Sequence, residues 1–459
     1  MDAKIITCDF QVIIKLFFYY YTINMIQFIK ENKKEVIIIF IVALLLRLIV
    51  AIIFYNNNIM QKFADDMGYY IFAERILVQG PLVLDSSFNQ MTSIVAPGLP
   101  WILSIILFAG GGWLSIFVVN SFVSTFICIL IFYLATQIFN KRTGLFASIW
   151  SVFFFSYVRH IPSAGKSIWM TLLILLIILT LIQVLKERKM AFFKILIFSF
   201  LFTYLLHIDE RYLAYIPLFG VLILFLDSST IKIRIKKSIM YFILVCLFMT
   251  PWLIRNFVVL DNIVILSTRT TSITEKFIDY KKSEVSFNHY GNRELSTSQI
   301  DSVLSGTKTH FSKTDGIPEG QIEEMKQGKF PHRYSTLENL ANRLIDLWRP
   351  FKFSSNYYMG GFSYMGPWSL KHNVSAILCY GLLLPFFFIG LYHLLKRKKK
   401  VAIILLSILL YHSIIHMLFI PYTRDRYRIP LESIIIMLGV YGMLMVYEYF
   451  IKKKTIRLS

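Results

Sequence analysis

Charge is scarce in this chain. Only 16% of its 459 residues are Asp, Glu, Lys or Arg, and acids are the rarer kind, 27 against 48 basic residues. A soluble domain carries about a quarter charged residues, so an ordinary water-soluble fold is excluded. Cysteine is scarce too, with four in all. Cys128, Cys246 and Cys379 fall inside apolar runs and Cys8 near the N-terminus, so no extracytoplasmic disulfide is expected. The apolar runs lack period-two alternation, which excludes a membrane β-barrel. There is no phosphate-binding glycine loop and no dinucleotide fingerprint, which argues against nucleotide-driven chemistry. His412 and His416 share a helix face, but no acid completes a zincin pattern between them. They read as polar lining of a cavity, and neither metal nor cofactor is expected.

What the chain has is apolar length. Hydrophobic residues make up 56% of it, gathered into runs of about 20. This predicts an all-α polytopic membrane protein of about ten or more transmembrane helices. We place spans near 35–55, 113–138, 143–161, 167–185, 191–208, 212–226, 238–254, 373–395, 401–420 and 429–450. Arg47 in the first is costly in lipid unless it faces the protein interior or snorkels. The stretch 10–29 is interrupted by Lys15 and followed by Lys30. It reads as an in-plane helix, and no small-residue cleavage site marks it as a signal peptide.

Basic segments fix the expected sides. "IKENKK", "NKR", "KERK", "IKIRIKK", "LKRKKK" and "IKKKTIR" alternate with connections that lack such clusters, so the positive-inside rule makes their side cytoplasmic. Topology therefore accounts for the net charge of +21, and no nucleic acid is implied. The expected organisation is a cytoplasmic segment 1–34, a transmembrane catalytic module 35–255 with an outer loop 56–112, an extracytoplasmic loop domain 256–372, and C-terminal helices with a basic tail, 373–459. In 256–372, 14 basic and 12 acidic residues nearly cancel. Any chemistry is expected on the outer face, since the cytoplasmic links are short and basic.

That outer face holds the acids. "FADDMGYY" sets Asp65 beside Asp66, and Tyr69, Phe72, Ala73 and Ile76 then repeat at helical spacing. Asp66, Tyr70 and Glu74 fall on a neighbouring, wetter stripe. Gly80-Pro81 ends the helix, and a second surface helix starts at Pro97 and reaches Gly110. Short outer connections carry "RHIPSAGK", "HIDER" and "YTRDR".

Taken together, these features resemble the GT-C glycosyltransferases, specifically the bacterial relatives of protein O-mannosyltransferases and of lipid A aminoarabinose transferases. "TPWLIRNFVVLDNIVILST" is similar to a Pro-Trp-x-x-Arg-Asn segment of such enzymes. "RDRYRIPLESIIIMLGVYG" looks like their Arg-Tyr-Arg-x-Pro start of a late span, and "IFNKRTGLFASIWSVFF" resembles a cytoplasmic turn. The resemblance covers 35–450. "VAPGLP", "HIDER" and Lys166, near a position often acidic in relatives, depart from the pattern.

The resemblance implies transfer of a sugar from a polyprenyl-phosphate carrier to a hydroxyl on a lipid, glycan or protein, with inversion, at the outer membrane face. It makes Asp65 the expected base, with Asp66 beside it. Tyr69, Asp209, Glu210, Arg211, Arg255, Arg426 and Arg428 are the expected substrate-binding residues. Arginine suits a phosphate because its fork makes bidentate, charge-assisted bonds. Each choice has a plainer rival. Either aspartate could cap the surface helix. Asp209 and Glu210 could pair with Arg211, Arg255 could anchor at the interface with Trp252, and Arg424, Arg426 and Arg428 could form a solvated cluster. A transporter or flippase of lipid-linked glycans is the competing class.

Overall fold

The computed structural model describes residues 24–57, 64–82, 95–260, 263–267, 337–350, 370–419 and 427–458. Among these every regular element is helical and no strand occurs. In chain order the helices used below are α1 Lys33–Asn56, α2 Ala64–Gln79, α3 Gly98–Phe108, α4 Trp113–Ile138, α5 Lys141–Val152, α6 Ser167–Lys186 and α7 Phe192–Ile208. They continue with α8 Tyr215–Leu226, α9 Ile231–Leu260, α10 Leu337–Trp348, α11 Leu383–Arg397, α12 Lys399–Phe419 and α13 Ile429–Leu458.

Among the described residues, seven segments are long and apolar enough to cross a bilayer: α1, α4, α6, α12, most of α9 and α13, and Asn373–Arg397, which contains α11. The chain is thus a multi-pass membrane protein. The expected spans 143–161, 191–208 and 212–226 form shorter helices. The first is broken into α5, of 12 residues, and a five-residue helix Phe155–Arg159.

Arg47 shows why that break is tolerated. Its side chain is fully buried, facing the interior. Nε donates to Ser124 Oγ at 2.7 Å and Nη2 to Cys128 Sγ at 3.2 Å. The guanidinium also donates to the carbonyls of Ser151 and Val152, both at 3.3 Å, where α5 stops. An arginine from another helix thus satisfies carbonyls that a helix end leaves open, and those carbonyls stabilise its charge away from water.

The basic turns meet at one end of the bundle. Lys141 pairs with Glu35 at 2.7 Å, and Arg142 with Glu448 at 3.4 Å. Lys398 Nζ donates to Ile138 O at 2.7 Å, and the Ser228 amide donates to Leu185 O at 3.0 Å. Of the stretch 1–34, residues 24–34 are described; 24–31 are helical, and Phe28 packs edge-on against Phe132 at 4.9 Å near this end. The remainder of the expected in-plane helix lies outside the described residues.

Close packing depends on glycine between α11 and α13. A Cβ at Gly442 would lie 1.9 Å from Phe386 O, and one at Gly390 2.0 Å from Leu438 O. Small residues let two backbones touch in this way, which substitutes for the hydrophobic drive that lipid removes.

Candidate functional site

At the end opposite the basic turns, two helices of the first long connection lie over the bundle. α2 buries most of the predicted stripe: Tyr69, Ala73 and Ile76 are 6% exposed or less and Phe72 is half-buried, while Glu74 is exposed. Tyr70 stacks on Trp113 at 4.6 Å, turned by only 7°. α3 follows as expected from Pro97. Its first residue, Gly98, sits so close to α7 that a Cβ would meet the His207 carbonyl at 2.7 Å. Trp101 Nε1 donates to Pro81 O at 2.7 Å, which ties α3 to the end of α2, and its ring stacks on His207 at 5.5 Å.

Asp65 and Asp66 lie in the first turn of α2, and their side chains are outside the described residues. Asp65 is four residues before Tyr69, so the two share a helix face. Arg424, Arg426 and the aromatic loop "GGFSYMGPW" also lie outside the described residues.

Below α2 is a buried ionic cluster. Asp209 follows α7 and caps the 3-10 turn Glu210–Ala214, accepting from the Arg211 amide at 3.1 Å. Arg211 also clamps this carboxylate through its side chain, Nε to Oδ1 at 2.7 Å and Nη2 to Oδ2. Lys166 Nζ reaches Oδ2 at 2.9 Å. Asp209 is fully buried, whereas the Lys166 side chain is 21% exposed. Burial alone would raise the Asp209 pKa, but Arg211 and Lys166 outweigh it and hold the carboxyl well below the usual range. Burial also opposes the Lys166 charge, yet Asp209 keeps that pKa raised. Tyr69 of α2 lies within electrostatic reach of the same ammonium. Asn120 positions the loop leading to Lys166, donating to Ser163 O at 2.7 Å and Ile161 O at 3.1 Å.

Two histidines from α12 complete the cluster. His416 Nδ1 donates to His412 O at 2.9 Å, which leaves Nε2 to accept from Arg211 Nη1 at 3.3 Å. His412 Nε2 donates to Tyr427 O at 3.0 Å, and its Nδ1 meets the Tyr215 hydroxyl at 3.0 Å, a hydroxyl that also lies 3.4 Å from Ile408 O. The His416 ring, a donor at Nδ1 and an acceptor at Nε2, is therefore neutral with a fixed tautomer. It orients Arg211, whose guanidinium lies 4.2 Å from the Tyr427 ring centroid. The plain expectation of cavity lining gives way to a tighter role as hydrogen-bonded packing.

Two of the arginines expected to bind phosphate, Arg255 and Arg428, hold protein groups in this structure. Arg255 Nε donates to Leu82 O at 2.7 Å and Nη1 to Asn256 Oδ1 at 2.9 Å, with the guanidinium 4.7 Å from the Trp252 ring centroid. It joins the end of α2 to α9, as the anchor reading with Trp252 has it. Arg428 Nε donates to Glu432 at 2.8 Å, and Nη1 to Arg349 O at 2.7 Å and Leu347 O at 3.2 Å. It holds the end of α10 against α13. Both are 5% exposed or less. Glu210 begins the 3-10 turn and is partly exposed.

Lys166, His416 and Tyr427 were missed as site residues. Only Lys166 carried a signal: a lone lysine directly before an apolar span, on the face where the positive-inside rule disfavours one. No group of three metal-ligating side chains occurs among the described residues, and both Asp209 oxygens are already taken by cations.

No protein family and no curated protein matches the chain by sequence. Solved structures do match it in shape, among them those of the oligosaccharyltransferase AglB of Archaeoglobus fulgidus. Its apo form gives a TM-score of 0.52 at 14% identity, covering 92% of this chain and 52% of that one. The form with an inhibitory peptide and a dolichol-phosphate gives 0.52 at 15% identity, covering 93% and 52%. The form tethered to an acceptor peptide containing the NVT sequon gives 0.50 at 14% identity, covering 92% and 50%. This chain spans about half the length of the structures it matches. What it shares with them is the fold alone, an all-α polytopic membrane architecture.

Proposed function

We propose that the chain is an inverting membrane glycosyltransferase that moves a sugar from a polyprenyl-phosphate carrier to a hydroxyl acceptor at the extracytoplasmic face. The observation that carries this reading is a placement within a GT-C fold. The helix bearing Asp65 and Asp66 lies, through Tyr69, over a cluster whose two cations are partly exposed, Lys166 at 21% and Arg211 at 13%. The dolichol-phosphate complex of the archaeal neighbour supports a lipid-phosphate donor, and its peptide complexes make a peptide one candidate acceptor. The sequence resemblance to bacterial protein O-mannosyltransferases and aminoarabinose transferases points to a single hexosyl or pentosyl group as cargo.

In this scheme the acceptor oxygen attacks the anomeric carbon from the face opposite the carrier. Asp65 takes the hydroxyl proton, and the bond from the anomeric carbon to the phosphate oxygen breaks with its electrons going to the phosphate. Negative charge grows on that oxygen, and preorganised cations stabilise it at little reorganisation cost. Lys166 and Arg211 are the assigned cations, with Asp209 and His416 fixing their positions. Arg426 remains a proposed phosphate ligand. Asp66 holds the helix start or meets a substrate hydroxyl.

The test is mass spectrometry of purified protein incubated with polyprenyl-phosphate sugars and candidate acceptors. Transfer should be lost in Asp65→Asn while donor binding persists, and Asp66→Asn should be damaged less. Loss of a general base typically costs about 100- to 10,000-fold. Bound donor with no transfer to any acceptor would favour the transporter reading, and an active Asp65→Asn would move the base elsewhere.

A further inference from the structure

The basic end of the bundle carries a groove that the chemistry above does not use. It encloses about 450 Å³ between the α6–α7 turn and the first turns of α9. Lys189 and Met190 form one wall; Lys236, Ile239, Met240 and Ile243 are on the other. Its polar and apolar parts are separated by depth. Lys236 stands near the start of α9, and Ile243 follows seven residues later, about 10 Å further along the axis. Ile239 and Ile243 are 53% and 57% exposed, so the floor continues onto the outer, lipid-facing surface of the helix.

The nearby carboxylates are committed. Glu187 is paired with Lys194 at 2.6 Å, although it still acts on Lys189 at longer range. Asp227 is paired with the fully buried Lys237 at 2.8 Å. No carboxylate lines the groove, and neither Lys189 nor Lys236 has an ion-pair partner among the described residues. Two ammonium groups from different elements therefore flank a mouth at the level where a bilayer places its phosphates, above an apolar floor at the level of acyl chains.

We propose that this groove holds one anionic phospholipid, its phosphate between Lys189 and Lys236 and its first acyl carbons against Ile239 and Ile243. A zwitterionic lipid brings its own cation to the same place and loses the advantage. The site is distinct from the acidic helix at the far end, so lipid binding here is independent of sugar transfer.

The probe is phosphatidylglycerol, with phosphatidylcholine and inorganic phosphate as comparison arms, titrated into detergent-purified full-length protein and read by native mass spectrometry. Wild type should retain one phosphatidylglycerol in preference to phosphatidylcholine. The pair Lys189→Gln with Lys236→Gln should weaken that binding about 30-fold, equivalent to about 1 kcal/mol for each lysine. Arg188→Gln with Lys232→Gln removes equal charge from the same end outside the groove and should leave the preference intact. Lipid-free melting temperatures of both double variants check folding. Equal loss in the two, equal retention of both lipids, or competition by inorganic phosphate alone would each overturn the assignment.

Discussion

Asp209 ends α7, caps the turn that follows, and neutralises Arg211 and Lys166 with none of its own surface exposed. Asn at this position would keep the capping oxygen but leave two cations facing each other. Breaking a buried ion pair from one side costs about 3–5 kcal/mol, so Asp209→Asn should lower the melting temperature of the purified protein substantially. The pH dependence follows from the two shifts. The Asp209 pKa is depressed, so its contribution is complete above the ordinary carboxylate range and is lost progressively as pH falls below it. The Lys166 pKa is raised, so its contribution is complete below the ordinary lysine value and is lost as pH climbs past it. The stability gap between wild type and Asp209→Asn should therefore stay flat from about pH 4 to about pH 10. A gap that closes near neutral pH would contradict the pairing. Of this cluster, the sequence displayed the acids and Arg211, which are neighbours in "HIDER", but not the pairing with Lys166, 43 residues earlier in the chain. The partners of Arg255 and Arg428 were not legible either, because the carbonyls they bind come from Leu82, Leu347 and Arg349, far from them in the chain.

Single elements differ in how plainly the sequence announces them. The surface helix α2 was legible down to its buried face, since spacing alone sets which side of a helix Tyr69, Ala73 and Ile76 occupy. The break after α5 was not, because the run stays apolar through Phe153 and Phe154 while the group that accommodates it is an arginine on α1. The seam between α11 and α13 was also hidden: "LGVYG" ends in Gly442, but nothing local says that the Phe386 carbonyl will press on it. Gly442→Ala forces a Cβ against Phe386 O, where no flexible side chain can yield. It should destabilise by about 1–3 kcal/mol or more. Gly68→Ala in α2 is the matched control, since its Cβ meets nothing within 4 Å. There the usual helix preference for alanine should leave stability unchanged or raised by up to about 1 kcal/mol. Thermal melts of the two variants should move in opposite directions, or at least differ clearly.

For the whole molecule, the sidedness of the ends decides which compartment the chemistry faces. With the basic turns cytoplasmic, a cysteine replacing Lys399 should resist an impermeant thiol reagent in intact cells, while one replacing Ser305 should react. The reverse pattern would put the acidic helix in the cytoplasm and remove an extracytoplasmic lipid-linked donor from consideration. The all-α polytopic architecture was readable from the apolar spans, whereas the direction in which individual arginines point was not. One consequence concerns the order in which the chain is made. Arg47 is synthesised with α1, but Ser124 comes 77 residues later and Val152 another 28 after that. At roughly 5–20 residues per second, the guanidinium has only the Ala43 carbonyl of its own helix for about 4–20 s before its partners on other helices exist. During that interval α1 stands in the bilayer with a cost of about 2.5–3.5 kcal/mol to offset, which its run of Ile, Leu and Val must cover unaided. The greasiness of the first helix is thus sized for a nascent chain that is still waiting, and the docking of α4 and α5 is what ends the wait.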